Sequence, residues 1–528
     1  MKPARKLFLI MALWVAFWGG ESLWAVPAHA EEARAKYVFL FIGDGMGLAQ
    51  RRAAELYLAA RNSPVLSEGR RLVMNRLPVQ GFADPSDLTS VIPDSASAAT
   101  AIACGRKTHS GVLAMEADRE TRCETIAETA KKTGWQVGIL STVSLDHATP
   151  AAFYAHVPSR RQTREVSLQL ADSGFDYFAG GRFSRPADRE GGEPQDVVEI
   201  ARAKGYKVVS GRQELEALKP GSGKVIAMSR EVDDSGAMPF SLDQQGDPNR
   251  LTIAGLLDKA IELLDNSRGF FIMVEGGKID WACHAHDAAA AIHDTLDLDD
   301  AVARAVQFHV KRPRETLIVV TADHETGGMS IGYAGTKHSI FIERLGHQKT
   351  SYQEFERRLA EFKRSRPAGD PRLEEVFPLI HESFGLHVPT TEGETELEAA
   401  RAKGEATHVL REPGQSAAEV RQKLGMTLTD SEIDMLRKAW IQSVAMEQAS
   451  PEGGGDRSPP RHETRRDPLA IALTTIMSNK AGLGWTTFDH TGIPVPTSAL
   501  GVGAELFNGY YGLAEIHDKI MKSTGLER

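Results

Sequence analysis

The sequence predicts an α/β fold: a large central, mostly parallel sheet flanked by helices on both faces, with a helical insertion late in the chain. Three observations carry this. Five short apolar runs read as strands buried on both faces: YVFLFI (37–42), QVGILST (136–142), KVIAMS (224–229), FFIMVEG (270–276) and TLIVVTA (316–322). Helical patterns such as Ala49–Arg61 and Asp287–Lys311 lie between them, the alternation of a parallel sheet with crossover helices. Four of the five runs lead straight into polar residues able to do chemistry. In such sheets ligands gather beyond the carboxyl ends of the strands.

In chain order, the first thirty residues stand apart. Lys2, Arg5 and Lys6 precede the apolar stretch Leu7–Trp18, and Ala28-His29-Ala30 offers small residues where a signal peptidase reads. The stretch falls short of the ~20 residues that span a bilayer. Residues 1–30 therefore read as a cleaved secretory signal. The protein is expected to be exported, to the periplasm or outside the cell, without a stable membrane anchor. The first strand ends in FIGDGMG (41–47), with Asp44 between glycines. That spacing lacks the dinucleotide fingerprint and the Walker lysine, and better fits a carboxylate held where backbone passes close to an ion. VIPDSASAAT (91–100) starts a helix. Asp94 is its cap, and Ser95 falls in the first turn beside orphan N–H groups and the positive dipole end. Ser97 reads as a small packing residue.

The strand at 136–142 leads to Leu145-Asp146-His147-Ala148-Thr149, and that at 270–276 to Glu275-Gly276-Gly277. IDWACHAHD (279–287) sets Asp280 and His284 four apart, on one face of a helical turn. A carboxylate and an imidazole so placed can share one divalent ion, preferably zinc, whereas His286 lies off that face. VVTADHETGG (319–328) ends its strand with Asp323 and His324, and TFDHTG (487–492) adds His490 in a turn-rich loop. Each motif alone has a plain alternative: a surface ion pair, a capped strand end, a solvent-facing histidine. Together they form an oxygen- and nitrogen-rich set beside serine, threonine and arginine, which suits metal-assisted attack on phosphorus. From 333 to 480 the chain turns charged and helical, as at 351–364 and 428–440, the second with Thr429 and Glu432 at capping-box spacing. A Pro/Gly/Arg-rich stretch at 449–468 reads as a flexible linker. Residues 31–528 are expected to form one catalytic domain containing this 333–480 insertion.

A chain of 528 residues that is 41% hydrophobic can build a core of this size. Removing residues 1–30 takes the formal charge from −9 to −11. Such a surface argues against nucleic acid as a partner and obliges any phosphate site to make its own positive field. Three cysteines, Cys104, Cys123 and Cys283, exclude a four-cysteine zinc site. They leave room for one disulfide, with Cys104–Cys123 the local pair.

The motifs FIGDGMG, PDSASAATAIACGRKTHSG, DHATPAAFYAHVPSR, VEGGKIDWACHAHD, VVTADHETGG and DHTG, in this order, resemble the alkaline phosphatases. The resemblance runs from about 37 to 332 and resumes at 482. It implies hydrolysis of small-molecule phosphate monoesters, with Ser95 as the nucleophile that becomes phosphorylated and Arg160 gripping two phosphate oxygens. It implies two zinc ions, one on Asp280, His284 and His490 and one on Asp44, Asp323 and His324. A magnesium ion would take Asp44, Thr149 and Glu275, and the protein would be a homodimer. Two positions vary in the family. Here they are His147, read as a third-site or neighbouring residue, and Trp281, a wall of the phosphate pocket or plain helix packing. A sulfatase needs a cysteine where this chain has His156, three residues before Ser159 in His156-Val157-Pro158-Ser159-Arg160, and is excluded. A phosphodiesterase of the same superfamily, or a non-catalytic exported phosphate-binding protein, are the alternatives.

Overall fold

Strands β1 (Tyr37–Ile42), β7 (Phe270–Glu275) and β8 (Thr316–Thr321) are buried at every residue, as expected for the middle of a sheet covered on both faces. The structure, a computed structural model, describes residues 34–62, 71–184, 197–365, 372–389, 425–448 and 466–526. The expected secretory signal and most of the expected linker lie outside these residues. The remaining strands, in chain order, are β2 (Val79–Asp84), β3 (Gln136–Ser141), β4 (Tyr177–Gly180), β5 (Tyr206–Ser210), β6 (Lys224–Met228), the two-residue β9 (Glu325–Thr326), β10 (Ser330–Ile331), β11 (Leu483–Gly484) and β12 (His490–Thr491), then β13 (Val495–Gly501) and β14 (Gly509–Gly512). Ten of them form one sheet in the order β14-β2-β13-β8-β1-β7-β3-β4-β6-β5. From β8 to β5 all neighbours are parallel, while β13 runs antiparallel between β8 and β2. The predicted α/β architecture is the observed one.

Register explains where the chemistry collects. Ile42 pairs with both Glu275 and Thr321, and Ser141 pairs with Glu275. Four central strands therefore end level, and the residues that follow them, Asp44, Asp323 and His147, arrive at one edge together with Glu275. Beneath this edge Phe39, Phe270 and Phe308 pack with ring centroids 5.0–5.4 Å apart, each such burial stabilising by about 1.5–3 kcal/mol.

The helix Ala288–Lys311 is capped by Asp287, whose carboxylate accepts from Ala290 N. In the 333–480 segment, the helix Tyr352–Arg364 starts at Ser351. Ahead of Asp430–Gln448, Thr429 and Glu432 close the expected capping box at 2.8 and 3.3 Å. The segment's last helix, Pro468–Ala481, buries Leu469, Leu473, Ile476 and Met477. Thr474 and Ser478 donate from it to the carbonyls of Ala285 and His286 at 2.7 and 2.9 Å, so this end of the insertion is built directly against the site. Cys104 and Cys123 are not joined in a disulfide; Cys104 Sγ donates to the Cys123 carbonyl at 3.5 Å.

Candidate active site

The helix Ser95–Cys104 is buried along its whole length. Asp94 is extended (φ −96°, ψ 166°) and caps it by accepting from Ser97 N at 3.0 Å and from Gly111 N at 2.9 Å. Ser97 does more than fill space: its Oγ donates to Asp94 Oδ1 at 2.9 Å and to Asp87 Oδ2 at 3.2 Å. Ser95 is turned the other way, with Oγ 3.3 Å from His324 Nε2. Arg160 reaches the same point from the loop after the Leu113–Val157 bridge. Its Nη1 donates to Asp94 Oδ2 at 3.2 Å and its Nη2 lies 3.2 Å from His147 Nε2.

Around Ser95 the ligand atoms of three groups each lie within 4.8 Å of one another: Asp280, His324 and His490; Asp44, Asp323 and His324; Asp44, His147 and Glu275. His284 stands beside the first group, with Nε2 3.3 Å from Asp280 Oδ2 and 3.1 Å from His490 Nε2. Thr149 stands beside the third, donating to Asp44 Oδ2 at 3.4 Å. Every metal-ligand candidate read from the sequence is thus in one cluster, with His324 shared by two groups and His147 joining Asp44 and Glu275. Trp281 is buried and meets the His147 ring edge-on, centroids 6.0 Å apart.

Burial, reinforced by neighbouring carboxylates, drives Asp44 and Asp323 well above the usual carboxylate range. Burial lifts Glu275 to about 7. Burial would raise Asp280 too, but His284, through its charge and its hydrogen bond, outweighs it and holds this carboxyl well below its ordinary value. Burial pushes His324 well down and His490 down, which keeps both imidazoles neutral and ligand-competent. Asp44 Oδ1, Glu275 Oε1 and Asp323 Oδ2 are buried and accept no hydrogen bond. Four crowded carboxylates, neutral imidazoles and orphaned oxygens fit divalent cations, whose binding would remove the cost of burying those oxygens.

Sequence reasoning overlooked the residues that hold these donors in place. Thr326 Oγ1 donates to Asp280 Oδ1 at 2.5 Å, and Ser141 Oγ donates to Glu275 Oε2. Glu325 accepts from Gln50, Gly328 N, Met329 N and Thr491 Oγ1, tying β9 to β12 and so fixing His490. His286, off the ligand face, is buried at φ 51° and stacks against Trp485 and Phe488. Thr326 and Glu325 lie in the same motif as His324, the one signal that pointed to them.

Fold and donor set together define an α/β metallohydrolase architecture, with cation groups at the sheet's carboxyl edge and a serine at a helix start. The alkaline phosphatase family model matches residues 35–526, and the chain belongs to that family. It is similar to alkaline phosphatase 3 of Bacillus subtilis, 28% identical over 497 residues covering 92% of this chain and 88% of the relative. The Escherichia coli K12 alkaline phosphatase is 31% identical over 352 residues, 58% of this chain and 73% of that one. Among solved structures, a cold-active alkaline phosphatase from Shewanella sp. aligns with TM-score 0.66 at 26% identity, covering 92% of this chain and 99% of the other. The Thermus thermophilus alkaline phosphatase gives TM-score 0.67 at 25% identity over 94% and 92%. The chain is accordingly an enzyme of a metal-dependent phosphatase family.

Proposed function

We propose that this enzyme hydrolyses small-molecule phosphate monoesters through a phosphoserine at Ser95, in a site holding two zinc ions and one magnesium ion. The observation that carries the reading is the position of Ser95 Oγ. It projects from a helix start into the cation groups, with the Arg160 guanidinium anchored on the same helix cap. Asp280, His284 and His490 would hold one zinc ion, and Asp44, Asp323 and His324 the other. The oxygen donors Asp44, Thr149 and Glu275 suit magnesium, with His147 at their edge. Bound there, divalent cations supply Lewis acidity that lowers the serine's pKa and neutralises charge on the phosphoryl and leaving oxygens.

The chain's own residues do the rest. Arg160 turns its fork of donors from Asp94 and His147 to two phosphate oxygens, a geometry lysine cannot supply. First-turn N–H groups of the helix Ser95–Cys104 favour the same anion. Ser95 Oγ, as the alkoxide, attacks phosphorus as the bond to the ester oxygen breaks, and the departing oxygen takes a proton from solvent water to leave as the alcohol. Water then displaces Oγ, releasing inorganic phosphate with net retention.

The amino-terminal residues support export to the periplasm or beyond, and no helix among the described residues is long and apolar enough to cross a membrane. Exposed Val91, Ile92 and Ile493, with Val91 against Gly492, offer an apolar face that favours a homodimer, to be tested by sedimentation. Metal analysis of the purified protein tests the ion assignment. Turnover of nitrophenyl phosphate against bis-nitrophenyl phosphate tests the substrate class: preference for the monoester is expected, and a clear preference for the diester would overturn the reading.

A further inference from the structure

Lys278 opens the helix Lys278–His284, which carries Asp280, Trp281 and His284. The proposed reaction makes no use of it. Its side chain is nevertheless 0 % exposed, and an ammonium is buried at high cost unless groups are placed to receive it. Here they come from separate parts of the chain. Nζ donates to Asp233 Oδ2 at 2.9 Å and to Gln353 Oε1 at 2.7 Å. The same ammonium lies 3.9 Å from the ring centre of Phe240 and 4.7 Å from that of Trp281. Gln353 belongs to the insertion helix Tyr352–Arg364.

Contacts continue unbroken from Trp281 to the phosphate-facing residues. The Trp281 ring meets His147 edge-on, His147 Nε2 lies 3.2 Å from Arg160 Nη2, and Arg160 Nη1 reaches the Asp94 cap of the Ser95 helix. We propose that Lys278 is a positioning residue for phosphate recognition. Its ammonium, fixed by Asp233 and by Gln353 of the insertion, sets the Trp281 ring and through it the placement of His147 and Arg160. This rests on the reading of Arg160 as the phosphate grip. It gives part of the insertion a task, that of bracing the phosphate pocket from behind. A purely structural lysine would stabilise the fold without influencing how tightly phosphate binds, and the two roles separate experimentally.

The test is steady-state kinetics on nitrophenyl phosphate, with inorganic phosphate as competitive inhibitor, on metal-loaded wild-type enzyme and four variants. Lys278→Met is expected to raise KM and the phosphate Ki together by about tenfold, with kcat within about threefold. Lys278→Arg, which keeps the cation, should return both to within about threefold of wild type. Gln353→Leu, which leaves Lys278 in place, should raise both by about threefold. An unchanged Ki in folded Lys278→Met, or no rescue by Lys278→Arg, overturns the proposal. If Lys278→Met fails to fold, Gln353→Leu decides, and an unchanged Ki there overturns it. Arg160→Ala separates the two levels. If it leaves Ki unchanged, the phosphate-grip reading fails. If it raises Ki while Lys278→Met does not, only the role of Lys278 fails.

Discussion

Ser95 and Ser97 sit two residues apart on one helix start and meet opposite surroundings. Ser97 Oγ is spent on Asp94 and Asp87, whereas Ser95 Oγ faces His324 Nε2. Ser97→Ala is therefore expected to cost about 1 kcal/mol of stability, as loss of a helix-cap contact does, while keeping most of kcat; thermal melts and kinetics check it. Arg160→Lys keeps the charge and loses the fork, so KM should rise by about tenfold, with phosphate inhibition weakened in parallel. A KM equal to wild type would show that the fork does not matter. At this scale the donors were legible in the sequence because carboxylates and imidazoles at strand ends are rare enough to notice. Thr326, Ser141 and Glu325 were not, because a hydroxyl or carboxyl that braces a ligand looks like any polar residue until its partner is known.

Strand ends and turns bring those donors together. Gly45 adopts φ +72°, and a Cβ there would stand 2.9 Å from Asp280 Cα and from Thr326 Oγ1. Gly45→Ala should lower stability by about 1–3 kcal/mol and reduce bound metal, measured by melting and by metal analysis. Asp299, on the helix Ala288–Lys311, accepts from Val73 N and Met74 N, and burial raises its carboxyl to about 6. The folded state then holds this proton more tightly than the unfolded chain does. The resulting stabilisation is full below the unfolded value near 4 and is lost as pH rises through about 6. Asp299→Asn should remove that fall, so denaturant unfolding at pH 4 and at pH 6 should differ less in the variant than in wild type. Among the elements, the five predominantly apolar strand runs were readable to within a residue or so. β2, β4, β5, β13 and β14 were not. β2 alternates exposed and buried positions around Gly81, and β4 is only four residues long, so neither yields a continuous apolar signal.

For the molecule as a whole, buried carboxylates that repel one another make the site a liability unless cations occupy it. Chelation should therefore lower the melting temperature by several degrees, with recovery on adding back zinc and magnesium; a melt indifferent to chelator would contradict the metal assignment. The long-range order of the fold, with the return of the chain at 482–501 to place His490 and β13, was visible only as a motif resuming after the insertion. The packing of Pro468–Ala481 against Ala285 and His286 was hidden, because helix amphipathicity says that a face is buried and not what it is buried against. We propose that the cation groups, Arg160 and the helix start together make Ser95 a nucleophile toward phosphorus. Acid quenching of the enzyme during turnover of a phosphate monoester, followed by peptide mass spectrometry, tests it most directly. A phosphoryl group on the peptide at Ser95, absent from a Ser95→Ala variant that has lost at least about a thousandfold in kcat, is the predicted result. Phosphorylation at another residue, or a Ser95→Ala enzyme within a few-fold of wild type, would contradict it.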